Sequence, residues 1–545
     1  MIAVLWRVLV LWRRQTGWLL LGGAISIAAL AAGVALMAVS GSMVPGLLAG
    51  AASALAAPLL LRLLGPARVV LRYLERYVSH DALFRALADL RVWFFRGLAK
   101  GGGGGLGFRH AGELLARLVN DVETLDGLYL RVLLPLDGAV LLLPVLILGM
   151  AADGWLLPLH VGVLFAIAAF VLPARVAVIA AGGGERLAQA AAGLRIACLD
   201  ALQGLREVRV FSAEGRMLAA VQAREGVLLA AQHELAVRAA WAGAGAFLCA
   251  QAAILVVLAV AARHPATITV LLFLAVAAFE AVGGLARAGV AAGQAAVAGR
   301  RVLEAAEAAP PVPDPATPAP LPTGSALRFE GVRFGWAADR PPVFDGLTLD
   351  VPAGARVALL GASGAGKSTL AALALKVAAP QAGRVLLGGT DLAALPAAAV
   401  RARIGWLAQA THLFDDTVRA NLLLARPEAD DAALWAALEM ARIAEVVRTL
   451  PGGLDAQVGE AGTRLSGGQG RRLALARALL SPAPVLILDE PCAGLDAETE
   501  RAFLATLNEV AEGRSVVLIA HRLVGVERLD RIWRLSGGRA VAAAG

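Results

Sequence analysis

The sequence predicts a polytopic α-helical membrane domain of six spans fused to an α/β domain of the P-loop class. Three observations carry that expectation. Apolar residues make up 59% of the 545 and charged residues only 17%, against about 45–50% and about 25% in soluble domains. The apolar residues gather in long charge-free runs in the first half of the chain. In the second half, short β-type runs alternate with helical stretches, and one strand runs into a glycine-rich Lys-Ser-Thr turn. A soluble enzyme, a disordered chain and a secreted disulfide scaffold are excluded. Cys198, Cys249 and Cys492 are too few and too scattered for a disulfide or zinc framework and read as free thiols. The net charge of +8 reads as arginines flanking membrane spans rather than as a nucleic-acid footprint.

Taken in order, the first run has no charge from Gln15 to Leu61, too long for one crossing at about 20 residues per span. Ser40–Gly46 is expected to divide it into two helices joined by a tight turn. Arg7, Arg13 and Arg14 precede the run as in a signal peptide, but its length and the second span behind it predict an uncleaved first helix. Further spans are expected over Val132–Met150, Trp155–Leu172, Ala239–Ala262 and Thr267–Leu285. Three hairpins return both chain ends to one side, and the arginines on that side make it cytoplasmic. Leu71–Leu98 and Glu185–Arg238 have apolar residues three and four apart and read as amphipathic helices continuing the spans. Gly101–Gly105 reads as a flexible break. The membrane domain is thus expected over residues 1–308. A proline-rich, extended linker occupies 309–324, and an α/β domain fills 325–545.

The chemistry lies in that last domain. Gly361-Ala362-Ser363-Gly364-Ala365-Gly366-Lys367-Ser368-Thr369 follows an apolar strand and opens a helix, the setting a P-loop requires. Its glycines let backbone N–H groups close on phosphates and the helix N-terminus adds partial positive charge. Lys367 is expected to reach the β/γ-phosphates and Ser368 to ligate Mg²⁺. Val485–Glu490 is a buried strand ending in two acids: Asp489 suits the Mg²⁺ shell, and Glu490 is placed to polarise the attacking water. Ser466-Gly467-Gly468-Gln469 opens a second helix, again a phosphate-binding geometry. One nucleotide does not need two such nests from one chain.

With these motifs the sequence resembles the ATP-binding cassette (ABC) family, in which two nucleotide domains sandwich two ATPs between one P-loop and the opposite signature. The resemblance implies that Ser466, Gly467, Gly468 and Gln469 serve the ATP of a second half. Trp336 resembles the aromatic that stacks on adenine, with a plain strand-edge aromatic as the other reading. Gln409 looks like the glutamine that touches Mg²⁺ and the membrane domain, and Asp496 lies in what resembles the loop crossing the dimer interface. His521 resembles the switch histidine that senses the γ-phosphate. Lys367, Gln409, Glu490 and His521 are the expected catalytic set. Gly470 and Gly494 depart mildly from the family pattern.

Six spans ahead of one cassette resemble an exporter-type half-transporter, with His110–Asp126 and Leu202–Glu214 as the turns that meet the nucleotide domains. The segments Arg72–Arg85, Leu90–Arg96, Gly112–Glu123 and Leu128–Val132 are similar to the CydC subfamily. That resemblance implies a bacterial inner-membrane protein paired with a CydD-like half, ATP-driven export of glutathione or cysteine for cytochrome bd assembly, and an association with haem. Tyr73, Tyr77 and His80 share one helix face, beside a basic stripe that includes Arg72 and Arg76. Haem or substrate contact there stands against a snorkelling arginine face with an exposed histidine. Asp137 and Glu280, inside spans, have functional and interfacial readings side by side. A homodimeric lipid or drug exporter and a haem-responsive assembly factor with a regulatory ATPase are the alternative functions. Nucleic acid is not expected as a partner.

Overall fold

The computed structural model describes residues 1–48, 56–100, 117–151, 154–261, 267–337, 339–492, 497–510 and 513–543. They form two compact units, one of Met1–Gly101 and Phe108–Ala308, the other of Ala309–Gly545. The expected break at Gly101–Gly105 and most of His110–Asp126 lie outside the described residues.

The first unit is helical throughout. It opens with α1 (Ile2–Leu11), α2 (Thr16–Leu48) and α3 (Ala56–Lys100). Helices over Leu134–Met150 and Leu156–Ala166 follow, the latter passing through a π-helical turn into Leu172–Gln203. Glu214–Ala261, Ile268–Val282 and Leu285–Ala306 complete the unit. A backbone in lipid must satisfy its own N–H and C=O groups, which makes a long apolar run helical. Among the described residues, five helical stretches are long and apolar enough to cross a bilayer: Ile2–Met43, Leu118–Met150, Leu156–Gln203, Glu214–Val260 and Ile268–Ala306. The expected second span falls on α3, which carries Arg62, Arg68 and Arg72 in its first turns, while the apolar residues 49–55 ahead of it lie outside the described residues.

Two local expectations are corrected. Ser40–Gly46 makes no tight turn, because α2 runs on through it. The Ser40 and Ser42 hydroxyls donate back to the carbonyls of Leu36 (2.8 Å) and Val39 (2.7 Å), leaving the helix intact. Gly41 instead admits a neighbouring helix: a Cβ there would stand 2.9 Å from the Thr269 carbonyl oxygen. Likewise Glu185–Arg238 is not one helix. Gly204 ends the first part, the short helix Leu205–Val210 follows, and Ser212 at φ +48° starts the return. The apolar period continues on both sides of this turn and does not mark it, whereas the family resemblance places a turn at Leu202–Glu214. The turn exposes Leu202, Val210 and Phe211.

One helix contact within the unit is built from small residues. Along Leu285–Ala306, alanines and glycines lie buried against Leu172–Gln203. A Cβ on Gly289 would meet the Pro173 carbonyl at 2.3 Å, and one on Gly293 the Ala180 side chain at 2.6 Å. Close backbone approach of this kind is how helices associate where no hydrophobic driving force acts.

The second unit holds two sheets among its described residues. The antiparallel one has the order β2-β1-β4-β5, from β1 (Leu327–Phe334), β2 (Phe344–Val351), β4 (Ala382–Leu387) and β5 (Thr390–Asp391). The other runs β10-β9-β3-β8-β7-β6 and is parallel apart from its β9–β10 edge. Its strands are β3 (Arg356–Gly361), β6 (Ile404–Leu407), β7 (Val485–Asp489), β8 (Ser515–Ala520), β9 (Arg531–Ser536) and β10 (Arg539–Ala543). Continuous apolar strands buried on both faces, as in β7 and β8, are what a parallel sheet requires. Because β3, β8 and β7 are adjacent and parallel, their carboxyl ends stand side by side, where α/β sheets bind ligands. The residues ahead of β1 are extended and tied down: the Asp314 carboxylate accepts from Ala397 N–H (2.7 Å), and Ala319 N–H donates to the Ala394 carbonyl (2.9 Å).

Candidate functional site

The three strand ends assemble the site. β3 delivers the phosphate loop into the helix Lys367–Ala374. Gly364 and Gly366 both have positive φ, and a Cβ on Gly366 would come within 2.7 Å of Val343 and 2.8 Å of the Phe344 ring. Only glycine fits there. Ser363 and Gly364 are exposed on the loop and Gly361 closes the strand. Lys367 is folded back, its Nζ donating to the carbonyls of Gly361 (2.7 Å) and Ala362 (3.1 Å). A buried ammonium held only by loop carbonyls is placed to exchange them for phosphate oxygens. Trp336 is 44% exposed, packs edge-on to Phe334, and donates from Nε1 to the Thr369 hydroxyl (3.2 Å). It thus offers a ring face beside the loop.

The end of β7 brings the acids. The Ser368 hydroxyl donates to Asp489 (2.9 Å), so the two oxygens expected to hold Mg²⁺ already converge. An oxygen-only donor set suits this hard cation. Burial pushes the Asp489 carboxyl above its ordinary value. The Ser368 hydrogen bond opposes that, Glu490 adds to it, and Lys367 and Arg471 oppose it. A cation bound there would offset the burial that disfavours the charged carboxylate. Glu490 Oε1 accepts from Gln409 Nε2 (3.2 Å) and lies 2.8 Å from His521 Nε2. The predicted residues Gln409, Glu490 and His521 therefore meet around one carboxylate oxygen.

Sequence reasoning missed Arg471. Its guanidinium donates to three backbone carbonyls, those of Gln409 (2.6 Å), Asp489 (2.7 Å) and Glu490 (2.5 Å). Glu490 itself sits at φ +52°, a left-handed conformation that costs a non-glycine residue and persists only where neighbours impose it. Arg471 and the Glu490 N–H bond to the Ile519 carbonyl (2.9 Å) do so. No local motif announces such a contact, since its acceptors are main-chain atoms far away in sequence.

Ser466 caps the helix Gly467–Leu480 in a reciprocal box: its hydroxyl accepts from Gln469 N–H (3.3 Å), and Gln469 Oε1 accepts from Ser466 N–H (2.9 Å). Ser466 and Gly467 are exposed, and a Cβ on Gly467 would meet nothing within 4 Å. The helix N-terminus is open to an outside phosphate. Asp496 lies outside the described residues.

In the helical unit, Tyr73 and Tyr77 are exposed at 70% and 67%, Arg72 and Arg76 are exposed, and His80 is half-buried. His80 Nδ1 faces the Arg76 carbonyl at 2.8 Å. A carbonyl only accepts, so Nδ1 donates there and Nε2 is left clear of that contact. Among the described residues, no group of three or more His, Cys, Asp or Glu is arranged to hold a metal ion. Asp137 lies in the first turn of Leu134–Met150, and Glu280 near the end of Ile268–Val282.

Residues 344–493 match the ABC transporter family and residues 19–282 the ABC transporter transmembrane region. The glutathione/L-cysteine transport system ATP-binding/permease protein CydC of Escherichia coli K12 is 34% identical, over 98% of this chain and 95% of that protein. The protein of the same name in Haemophilus influenzae is 32% identical over 87% of this chain and 84% of its own length. The structure of a bacterial Atm1-family ABC exporter with ATP bound superimposes with a TM-score of 0.87 at 26% identity, covering 97% of this chain and 94% of that one. A multi-pass helical membrane region and an ATP- and Mg²⁺-using ATPase are therefore joined in one polypeptide, and the chain belongs to the ABC transporter family as an exporter half-transporter of the CydC type.

Proposed function

We propose that this chain is one half of a heterodimer that uses ATP to export glutathione or cysteine across the bacterial inner membrane, with both termini and the nucleotide domain in the cytoplasm. Its parts are a transmembrane domain over 1–308, a linker over 309–324 and a nucleotide domain over 325–545. The observation that carries the reading is the pairing of a complete P-loop site with a signature helix whose N-terminus is open. One chain supplies two different halves of a site, so a second half-transporter must supply the complements, and the likeness to CydC supports a CydD-like one. The likeness to CydC along nearly the whole chain supports the thiol cargo.

In this reading Trp336 stacks on adenine, and Gly361, Ser363, Gly364, Gly366 and Thr369 line the phosphates. Lys367 leaves its loop carbonyls for the β/γ-phosphates. Ser368, Asp489 and Gln409 would hold Mg²⁺, which when bound would neutralise charge on the phosphate oxygens. Glu490 accepts a proton from the water whose oxygen forms the new bond to the γ-phosphorus as the bond to the β-γ bridging oxygen breaks. His521 donates to the transferring phosphoryl group. Ser466–Gln469 close on the partner's ATP. The test is ATP-dependent uptake of labelled glutathione and cysteine into inverted vesicles carrying both halves. Uptake lost in Glu490→Gln supports the reading; ATP hydrolysis with no flux of either overturns it.

Haem contact at His80 is a second, narrower proposal. The His80 ring held through Nδ1, two exposed tyrosine rings and the arginines Arg72 and Arg76 suit iron and propionates. His160 makes the same bond to the Leu156 carbonyl (2.7 Å), so the surroundings of His80 carry the proposal rather than the bond. Haem titration of the complex followed by its absorption spectrum should show binding that His80→Ala removes.

A further inference from the structure

Within the helical unit a cavity of about 230 Å³ opens between α2, α3 and the helices Leu134–Met150 and Ile268–Val282. Apolar residues such as Leu30 and Met37 form part of its wall, and Arg68, Arg72 and Glu280 also line it. Gly33 stands opposite Arg68, where a Cβ would lie 3.1 Å from Nε and 3.3 Å from Cζ. The glycine leaves room for the guanidinium.

The depth is what makes these charges informative. Glu280 lies about 18 Å along its helix from Ile268 at 1.5 Å per residue, and Gly33 is about 25 Å from the start of α2 by the same measure. Both positions lie inside stretches long and apolar enough to cross a bilayer, Ile2–Met43 and Ile268–Ala306. Ionisable groups at that depth are costly and mark a ligand or ion path. They normally pair with one another. Here no ion pair or hydrogen bond joins Arg68, Arg72 or Glu280 to another described residue.

We propose that this cavity binds the α-amino-acid groups of the cargo, carboxylate on Arg68 and Arg72 and ammonium on Glu280. The inference rests on the thiol-export reading above and deepens it. Guanidinium takes a carboxylate through paired N–H donors, and a carboxylate accepts from an ammonium. The charge count selects further. Two cations and one anion complement a small peptide that carries two carboxylates and one ammonium better than they complement a dicarboxylate with no amine. The substrate class is an amino acid or short peptide with a free amino terminus. The thiol itself is not what the cavity reads.

The experiment measures uptake of labelled glutathione and of its N-acetyl derivative into inverted vesicles bearing both halves. Wild type, Glu280→Gln, Arg68→Met and Arg68→Lys are compared, each first shown to co-purify with the partner half. Wild type should prefer free glutathione at least tenfold in apparent KM, and Glu280→Gln should erase that preference by weakening glutathione alone. Arg68→Met should raise KM for both ligands, and Arg68→Lys should recover part of it. Equal discrimination against the N-acetyl compound in wild type and Glu280→Gln overturns the site while leaving thiol export standing. No flux of either compound in wild type overturns both.

Discussion

Arg471 and Asp489 show what single side chains contribute to the ATP site. Arg471 binds no predicted ligand, but it fixes the carbonyls on either side of the strained Glu490 peptide. Releasing a left-handed residue worth about 1–3 kcal/mol of strain lets the carboxylate wander from the water it must orient. Arg471→Met should therefore lower kcat for ATP roughly tenfold, about 1.4 kcal/mol of barrier, and leave KM nearly unchanged. Steady-state ATPase assays on the complex check this. Asp489 makes the opposite argument. Burial raises its carboxyl pKa, so without nucleotide its contribution to stability is complete below the unfolded value and is lost as pH rises through the folded one. Asp489→Asn should unfold at an equal or higher temperature than wild type at neutral pH, and should lose the stabilisation that Mg²⁺-ATP gives. Thermal melts with and without Mg²⁺-ATP, run across pH, read both effects. Asp489 was legible in the sequence because strand and acids are contiguous. Arg471 was not, because its partners are backbone atoms from two other loops.

Among elements, helix crossings and caps decide the outcome. The contact of Leu285–Ala306 with Leu172–Gln203 depends on Gly289 and Gly293, which let one backbone touch the other. Gly293→Leu forces the helices apart, at a cost of about 1–3 kcal/mol for overpacking. The variant should melt earlier in detergent, whereas the milder Gly226→Ala, which meets nothing within 4 Å, should not. The signature helix makes a second case. Ser466→Ala removes one side of its capping box, about 1 kcal/mol, and also the hydroxyl nearest the open N-terminus. Composition and period gave the helices themselves, and the P-loop strand and helix were plain. What the period could not reveal was where a helix continues or breaks: α2 passes through Ser40–Gly46 because its serines bond inward, and the turn at Gly204–Ala213 interrupts a pattern that is apolar on both sides.

For the whole molecule, the division of labour between P-loop and signature predicts separable defects. In the complex, Lys367→Ala should abolish photo-crosslinking of an azido-ATP to this chain. Ser466→Arg should leave that labelling intact and cut turnover at the partner's nucleotide, so total ATPase falls in both while labelling falls in one. The exposed Val210 and Phe211 at the Gly204–Ala213 turn give a third arm: Phe211→Asp should keep ATP hydrolysis and lose thiol uptake. The architecture was legible from charge-free runs and motifs because each is local. The cavity lined by Arg68, Arg72 and Glu280 was not, because the two arginines stand on α3 and Glu280 on a helix far along the chain, and sequence alone left Glu280 without companions. The stretch between the units adds a mechanical bound. Glu307 is held by Arg7 at 2.5 Å, and Asp314 is fastened to Ala397 at 2.7 Å. About seven residues separate these moorings, and fully extended they reach at most about 25 Å. Any lengthening of the stretch beyond that reach requires one of the two moorings to let go.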